Sequence, residues 1–230
     1  MTEYVGNELD LFALATGWKA RLRREISPYL AAPVLEVGAG FGATTAALRW
    51  SVAGPWTALE PDPALAGRLA ERTELDCDAR VGDLSTIPAN ERFRSVLYVD
   101  VLEHIADDRT EVSRALDCLE VGGRLIVLSP AHQWLRSPFD AAIGHHRRYH
   151  RAGLLGLAPK SATVECVRYL DAPGLLLNLG NRLLSRQSLP TRAQILIWDR
   201  LFVPLARVID PLLGYRVGRS LLVVWRRAGD

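Results

Sequence analysis

The spacing of apolar positions divides the chain into short alternating elements. Over residues 8–26, Leu11, Leu14 or Ala15, Trp18 and Leu22 recur three and four apart, which predicts an amphipathic helix closed by Ser27-Pro28. Lys19, Arg21, Arg23 and Arg24 fall largely off that stripe. "APVLEVGAGFG" is an apolar run delivered into glycines, which reads as a buried strand ending in a tight turn. "ATTAALRWSVA" then reads as a helix, "WTALEPD" as a strand, "PALAGRLAERT" as a helix and "CDARVGDL" as a third strand. "RSVLYVDVLEHI" is a fourth strand, "RTEVSRALDCLEVGG" a helix with a glycine stop, and "GRLIVLSP" a fifth strand. Strand and helix alternating with short links imply a parallel sheet covered on both faces.

Beyond residue 130 the pattern is less regular. "RAGLLGLAP" predicts a helix, and "ATVECVRYL" and "SLLVVWRR" predict two more strands. Residues 171–218 between them hold two apolar helical patterns. In the second, Arg192, Asp199, Arg200, Arg207 and Asp210 fall within about one quadrant at ~100° per residue, and Pro204 should kink it. The predicted fold is α/β: a Rossmann-like, doubly wound, mostly parallel seven-stranded sheet with its last strand antiparallel. One domain spans 1–230, divided into a helical cap (1–32), a cofactor-binding core (33–130), an acceptor-side loop, helix and strand (131–170), a helical insertion (171–218) and a final strand (219–230).

Composition narrows the class. The net charge of +2 gives no global field to hold nucleic acid. Three separated cysteines form no disulfide framework or zinc knuckle, so a reducing cytoplasm is the simplest setting. The first residues are acidic and do not read as a signal peptide, and no charge-free apolar stretch reaches about 18 residues. Neither a spanning helix nor stable membrane insertion is expected. Only Lys19 and Lys160 are lysines, and no G-x-x-x-x-G-K-[ST] occurs, which argues against a P-loop enzyme.

In an open parallel sheet, ligands bind beyond the carboxyl ends of the strands. Residues 36–42, Glu60, Asp83, 100–104 and the loop from Ser129 should meet there. Gly38, Gly40 and Gly42 allow a tight turn and close approach of a ligand to backbone. "GAGFGA" also satisfies the dinucleotide pattern, with Glu60 placed to hold a ribose diol, so a nicotinamide or flavin enzyme stays in view. Glu36, two residues before the turn, would repel a pyrophosphate and favour an ammonium or sulfonium group. "YVDVLEHI" places Asp100, Glu103 and His104 after the fourth strand, where a dehydrogenase has no evident use for them.

Together, "VLEVGAGFG", "ALEPD", "VGDL", "VDVLEHI" and "LEVGGRLIVLSP" resemble, in order and spacing, the motifs of class I S-adenosylmethionine-dependent methyltransferases. The resemblance covers about residues 33–130. It implies S-adenosyl-L-methionine as cofactor, with Glu36 orienting the methionine ammonium, Glu60 the ribose hydroxyls, and Asp83 and Leu84 the adenine. Trp18 is either a lid over the cofactor or part of an ordinary apolar helix face, and Asp100 is either at the edge of the cofactor site or a helix cap. "SPFDAAIGHHRRYHRAGL" is similar to a stretch in bacterial members classed broadly as type 11 or 12, with S-P-x-D, then G-H-x-R-R-Y, then a threonine or serine cap. This chain has His150 at the cap and Gly17 where those members tend to have asparagine.

The expected function is methyl transfer to oxygen, nitrogen or carbon of a small-molecule acceptor. The alternatives are non-methyl chemistry on the same cofactor, such as cyclisation of its side chain, or nicotinamide-linked oxidoreduction. For a hydroxyl or acidic carbon a base is needed; His145 is the first candidate and His104 the second, with Tyr149 touching the acceptor. Three of the five histidines and three arginines crowd residues 145–151. Nucleic-acid and metal binding are not expected there: the patch is short, and His146 and His150, though i, i+4, have no acidic or cysteine companion. Arg147 and Arg148 are expected in ion pairs, for instance with Asp140. The 171–218 insertion is either a cap on the acceptor pocket, or core packing or a dimer interface. A peripheral membrane contact is only weakly supported, because its polar face carries Asp as well as Arg. A monomer or homodimer is expected.

Overall fold

The computed structural model describes residues 8–159, 162–184 and 190–229. Parts of the predicted cap (1–7) and insertion (185–189), Lys160 and the last residue of the predicted final strand lie outside the described residues.

The strands are β1 (Val34–Val37), β2 (Trp56–Glu60), β3 (Asp78–Val81), β4 (Phe93–Val99), β5 (Leu119–Pro130), β6 (Ala162–Leu170) and β7 (Ser220–Arg227). They form one sheet in the order β3-β2-β1-β4-β5-β7-β6. β1 to β5 pair in parallel, and β7 enters antiparallel between β5 and β6. The strand order reverses at β1, so the crevice beyond its carboxyl end is the place for a ligand. β1, β2 and most of β4 and β5 are buried on both faces, as continuous apolar runs require. Leu35 and Val37 face one core layer with Tyr98, Val127 and Trp225; Val34 faces the other with Trp56, Leu97 and Ile126.

The helices are α1 (Glu8–Ala13), α2 (Thr16–Ile26), α3 (Ala43–Leu48), α4 (Pro63–Ala70), α5 (Asp108–Asp117), α6 (Pro138–Ala142), α7 (Arg151–Leu155), α8 (Ala172–Leu184), α9 (Arg192–Ile197) and α10 (Val203–Leu212). Their starts are written locally: Asp62 accepts from the Ala64 and Leu65 amides with Pro63 at the first turn, and Asp107 caps α5 through Thr110.

Four expectations need correction. The helix over 8–26 is broken after Ala13. α2 restarts at Thr16, and its free amides are capped from 182 and 181 residues away: Asp199 accepts from Gly17 N at 2.9 Å and Trp18 N at 2.7 Å. A Cβ on Gly17 would lie 3.0 Å from Asp199, so glycine is what lets that carboxylate approach. Arg21 is buried, with Nη2 donating to Asp210 at 2.7 Å, rather than turned to solvent. The helix ending at 123 stops at Asp117 instead, because Leu119 already pairs with Phe93 before a bulge resets the register at Arg124. Pro204 does not kink a plain α-helix; a π-helical turn over Trp198–Phe202 precedes it, and Pro204 opens α10, where no amide donor is needed.

Candidate active site

At the carboxyl end of β1 the chain turns through Gly38 (φ +70°) and Gly40 (φ +57°) into α3. Gly38 is required twice over: its φ is left-handed, and a Cβ there would meet Val101 at 2.6 Å. Gly40 N donates to Glu60 Oε2 at 2.8 Å, while Glu60 Oε1 accepts from Asp62 N at 3.0 Å. Glu60 therefore ties the end of β2 to the glycine turn, and burial pushes its carboxyl up.

Glu36 is buried beneath the turn. Its Oε2 accepts from Thr45 Oγ1 at 2.8 Å and from Trp56 Nε1 at 3.0 Å. Burial outweighs both bonds and pushes its carboxyl up to about 7. Lys19, which the sequence reading passed over, comes from α2 into the same place. Its Nζ donates to Thr44 Oγ1 at 3.1 Å, and its charge acts on both Glu36 and Asp100. Burial lowers its basicity against the pull of those two carboxylates. The only available signal was that a chain with 26 arginines and two lysines puts one lysine beside Trp18.

Asp100 follows β4 in the left-handed region (φ +55°), held by Asp100 N donating to the Leu128 carbonyl at 2.8 Å. Its side chain opens into the crevice but is walled by protein, so desolvation raises its carboxyl while Lys19, His145, Arg219 and Arg148 oppose the rise. Asp83 is exposed, and its Oδ1 takes the Ser85 amide and hydroxyl at 2.8 and 2.6 Å, which holds its carboxyl low; Leu84 beside it is buried. Trp18 is in the core, 5.6 Å from Trp198 between ring centroids.

On the acceptor side, Asp140 is the hub. It is fully buried and accepts from Ser137 N and Oγ, from His145 Nδ1 at 2.9 Å, and from Arg148 Nε and Nη2 at 2.7 and 3.0 Å. Burial alone would raise its carboxyl; the His145 and Arg148 bonds outweigh that and hold it far below the usual range. An ionised carboxylate only accepts, so His145 Nδ1 donates to it. Nε2 lies 3.7 Å from Glu103 Oε1, and the His104 and His145 rings meet edge to face at 4.5 Å. Glu103 is fully buried, neither carboxyl oxygen has a hydrogen-bond partner among the described residues, and burial followed by Asp100 pushes its carboxyl well up. His104 is pushed down to about 4, by burial and then by His145 and His146.

The structure thus brings His104 and His145 together and supplies, in Glu103, an acid the spacing of His146 and His150 lacked. The ligand atoms of Glu103, His104 and His145 lie within 4.8 Å of one another. Tyr149 is placed differently: its buried hydroxyl donates to Asp108 at 2.8 Å and lies 3.3 Å from the Leu102 carbonyl. Arg148 pairs with Asp140, and Arg147 with Asp108 and the Ala106 carbonyl. His150 caps α7, its Nδ1 accepting from Gly153 N at 2.9 Å. An open cleft of about 920 Å³ lies at the other end of the sheet, lined by Pro33, Trp56, Asp78 and Phe93 at the strand starts, away from these groups.

The residues around the turn fit the methionine end of the cofactor. Two carboxylates and one ammonium answer a zwitterion that also bears a sulfonium, whereas two carboxylates would repel a pyrophosphate. A seven-stranded sheet of this order with one reversed strand is the frame of class I S-adenosylmethionine-dependent methyltransferases, and the matches below support an enzyme that uses that cofactor. The stretch from β1 into β5 is a methyltransferase domain: the family model so described matches residues 34–123. Solved structures agree in fold. The N-methyltransferase NodS of Bradyrhizobium japonicum, in complex with S-adenosyl-L-homocysteine, is 16% identical, with 95% of this chain and 88% of that one covered and a TM-score of 0.58. The YcgJ protein of Bacillus subtilis is 14% identical, with 93% and 99% covered and a TM-score of 0.58. The [4+2]-cyclase SpnF is 16% identical, with 92% and 82% covered and a TM-score of 0.61. No curated protein matches the chain significantly. No helix among the described residues is long and apolar enough to cross a membrane.

Proposed function

We propose that this enzyme methylates a small-molecule acceptor in the cytoplasm, and that His145 removes the acceptor's proton. The observation that carries the reading is the Asp140–His145 pair, with Arg148 clamped on the same carboxylate. Asp140 fixes the ring and its tautomer, leaves Nε2 as the basic atom, and stabilises the imidazolium once the proton arrives. His104, neutral and weakly basic at physiological pH, forms a wall beside it rather than a competing base. Lys19 meets the carboxylate and Glu36 the ammonium of the methionine end; Glu60 holds the ribose, and Asp83 and Leu84 border the adenine. Asp100, in its strained backbone, separates the two halves of the crevice.

When bound, the cofactor supplies an electrophilic methyl on sulfur. What the chain adds is alignment: oriented pairs of groups reach effective molarities on the order of 10⁵ M or more. Hydroxyl, amine and acidic-carbon acceptors all fit this arrangement, the first and last needing the base.

The test is a panel of hydroxylated compounds and amines incubated with S-adenosyl-L-methionine, with products read by mass spectrometry. S-adenosyl-L-homocysteine should appear with a methylated acceptor; methylthioadenosine instead would show that the cofactor serves other chemistry. With an acceptor found, His145→Ala should lower turnover more than about tenfold and His104→Ala less. Equal retention of turnover in both variants would remove the histidine base.

A further inference from the structure

The insertion buries its acids and leaves a row of apolar residues outside. From α9 through the π turn to α10, Ile197, Leu201, Leu205, Val208 and Leu212 are spaced four, four, three and four apart, one face of a helix. All five are exposed, Leu201 to 58%, Val208 to 61% and Leu212 to 79%. Leu176 of α8, a helix in contact with α10, is 68% exposed. The two acids expected on the water side are instead inside. Asp199 caps α2, and Asp210 accepts from Arg21 and from the Asp171 and Ala172 amides. What remains outside is cationic. Among the described residues from 191 to 217, the exposed charges are Arg192, Arg200, Arg207 and Arg216, with no exposed acid.

We infer that this face docks peripherally on an anionic lipid bilayer, the leucines and Val208 entering the headgroup boundary and the arginines meeting lipid phosphates. An apolar row on a segment whose exposed charges are all cations is what such a surface selects. The acids that weakened a membrane contact on sequence, Asp199 and Asp210, are both buried. A second copy of the chain fits less well. A twofold contact sets the same patch against itself, so Arg200 and Arg207 would face arginines with no exposed acid on the described residues of 191–217 to pair them. The inference does not depend on which acceptor is methylated.

The experiment is sedimentation of the full-length protein with two kinds of vesicle, phosphatidylcholine alone and phosphatidylcholine mixed with an equal part of phosphatidylglycerol. Binding is expected to the mixed vesicles only, and raised salt should release it. Each arginine near an anionic surface contributes a factor of about five, so Arg200→Gln with Arg207→Gln should weaken binding about 25-fold. Leu201→Asp with Leu205→Asp should abolish it. Titration with S-adenosyl-L-homocysteine, unchanged in both variants, shows that they fold. Equal binding to neutral vesicles, or none to the mixed ones, overturns the inference. So does a dimer in light scattering that Leu201→Asp converts to monomer, which would make a second copy the occupant.

Discussion

Glu36 offers the most quantitative test of the cofactor site. Its carboxyl is fully buried and titrates near 7, against about 4.3 for an unperturbed glutamate. Below pH 7 most of the free enzyme therefore carries a proton on Glu36. An ammonium placed against the carboxylate would lower that value, because an opposite charge at contact favours the ionised form. Binding at pH 6 should then release close to one proton, and at pH 8 almost none. The assay is calorimetric titration with S-adenosyl-L-homocysteine in two buffers of different ionisation enthalpy; the difference in observed heat gives the proton count. Glu36→Gln should abolish the release at pH 6 and weaken binding. The same group sets a stability slope in the free enzyme. Its folded value is raised, so between about pH 4.3 and 7 the native state binds more protons than the unfolded one. Stability contributed by Glu36 is present at the acid end of that window and declines as pH rises, by about 3 kcal/mol across it. A proton count at pH 6 indistinguishable from that of Glu36→Gln would refute the assignment of Glu36 to the ammonium.

Three further outcomes follow from the packing. Asp140→Asn leaves Arg148, whose side chain is 8% exposed, without its buried counter-charge, which should cost about 3–5 kcal/mol; thermal unfolding reads this as a loss of roughly 6–20 °C. Because the folded value of Asp140 is depressed, that stabilisation should persist from neutral pH down to about 3.9 and fade only below it. Asp199→Ala strips the cap from α2 and strands two amides, for about 1–3 kcal/mol in denaturant unfolding, whereas exposed Leu201→Ala should stay within about 0.5 kcal/mol. Turnover should survive a chelator, since the proposed proton transfer to His145 uses no metal; loss of activity restored by a divalent cation would reassign Glu103, His104 and His145 as ligands.

The sheet was legible because each strand carries its own signal. Val34–Val37 and Trp56–Glu60 are apolar runs ended by Gly38 and Pro61, and Ser220–Arg227 needs no partner to read as a strand. The acids around the crevice were legible for the same reason: Glu36, Glu60 and Asp100 sit at strand ends, and a parallel sheet must gather its strand ends. What escaped the sequence were the contacts made across it. Lys19 looked like one more basic residue on the wet side of a helix, and nothing local shows that α2 lies against α3 with Thr44 in reach. Asp199 and Asp210 shared a quadrant with Arg200 and Arg207, and helical periodicity treats four charges on one side alike. The division between them is set by long-range partners, the naked amides at Gly17 and Trp18 and the guanidinium of Arg21, which lie more than 180 residues away. A helical wheel reports that a face is polar but not which charges have partners. In this insertion the paired ones turned inward, and that reversal gives the outer surface its apolar and cationic character.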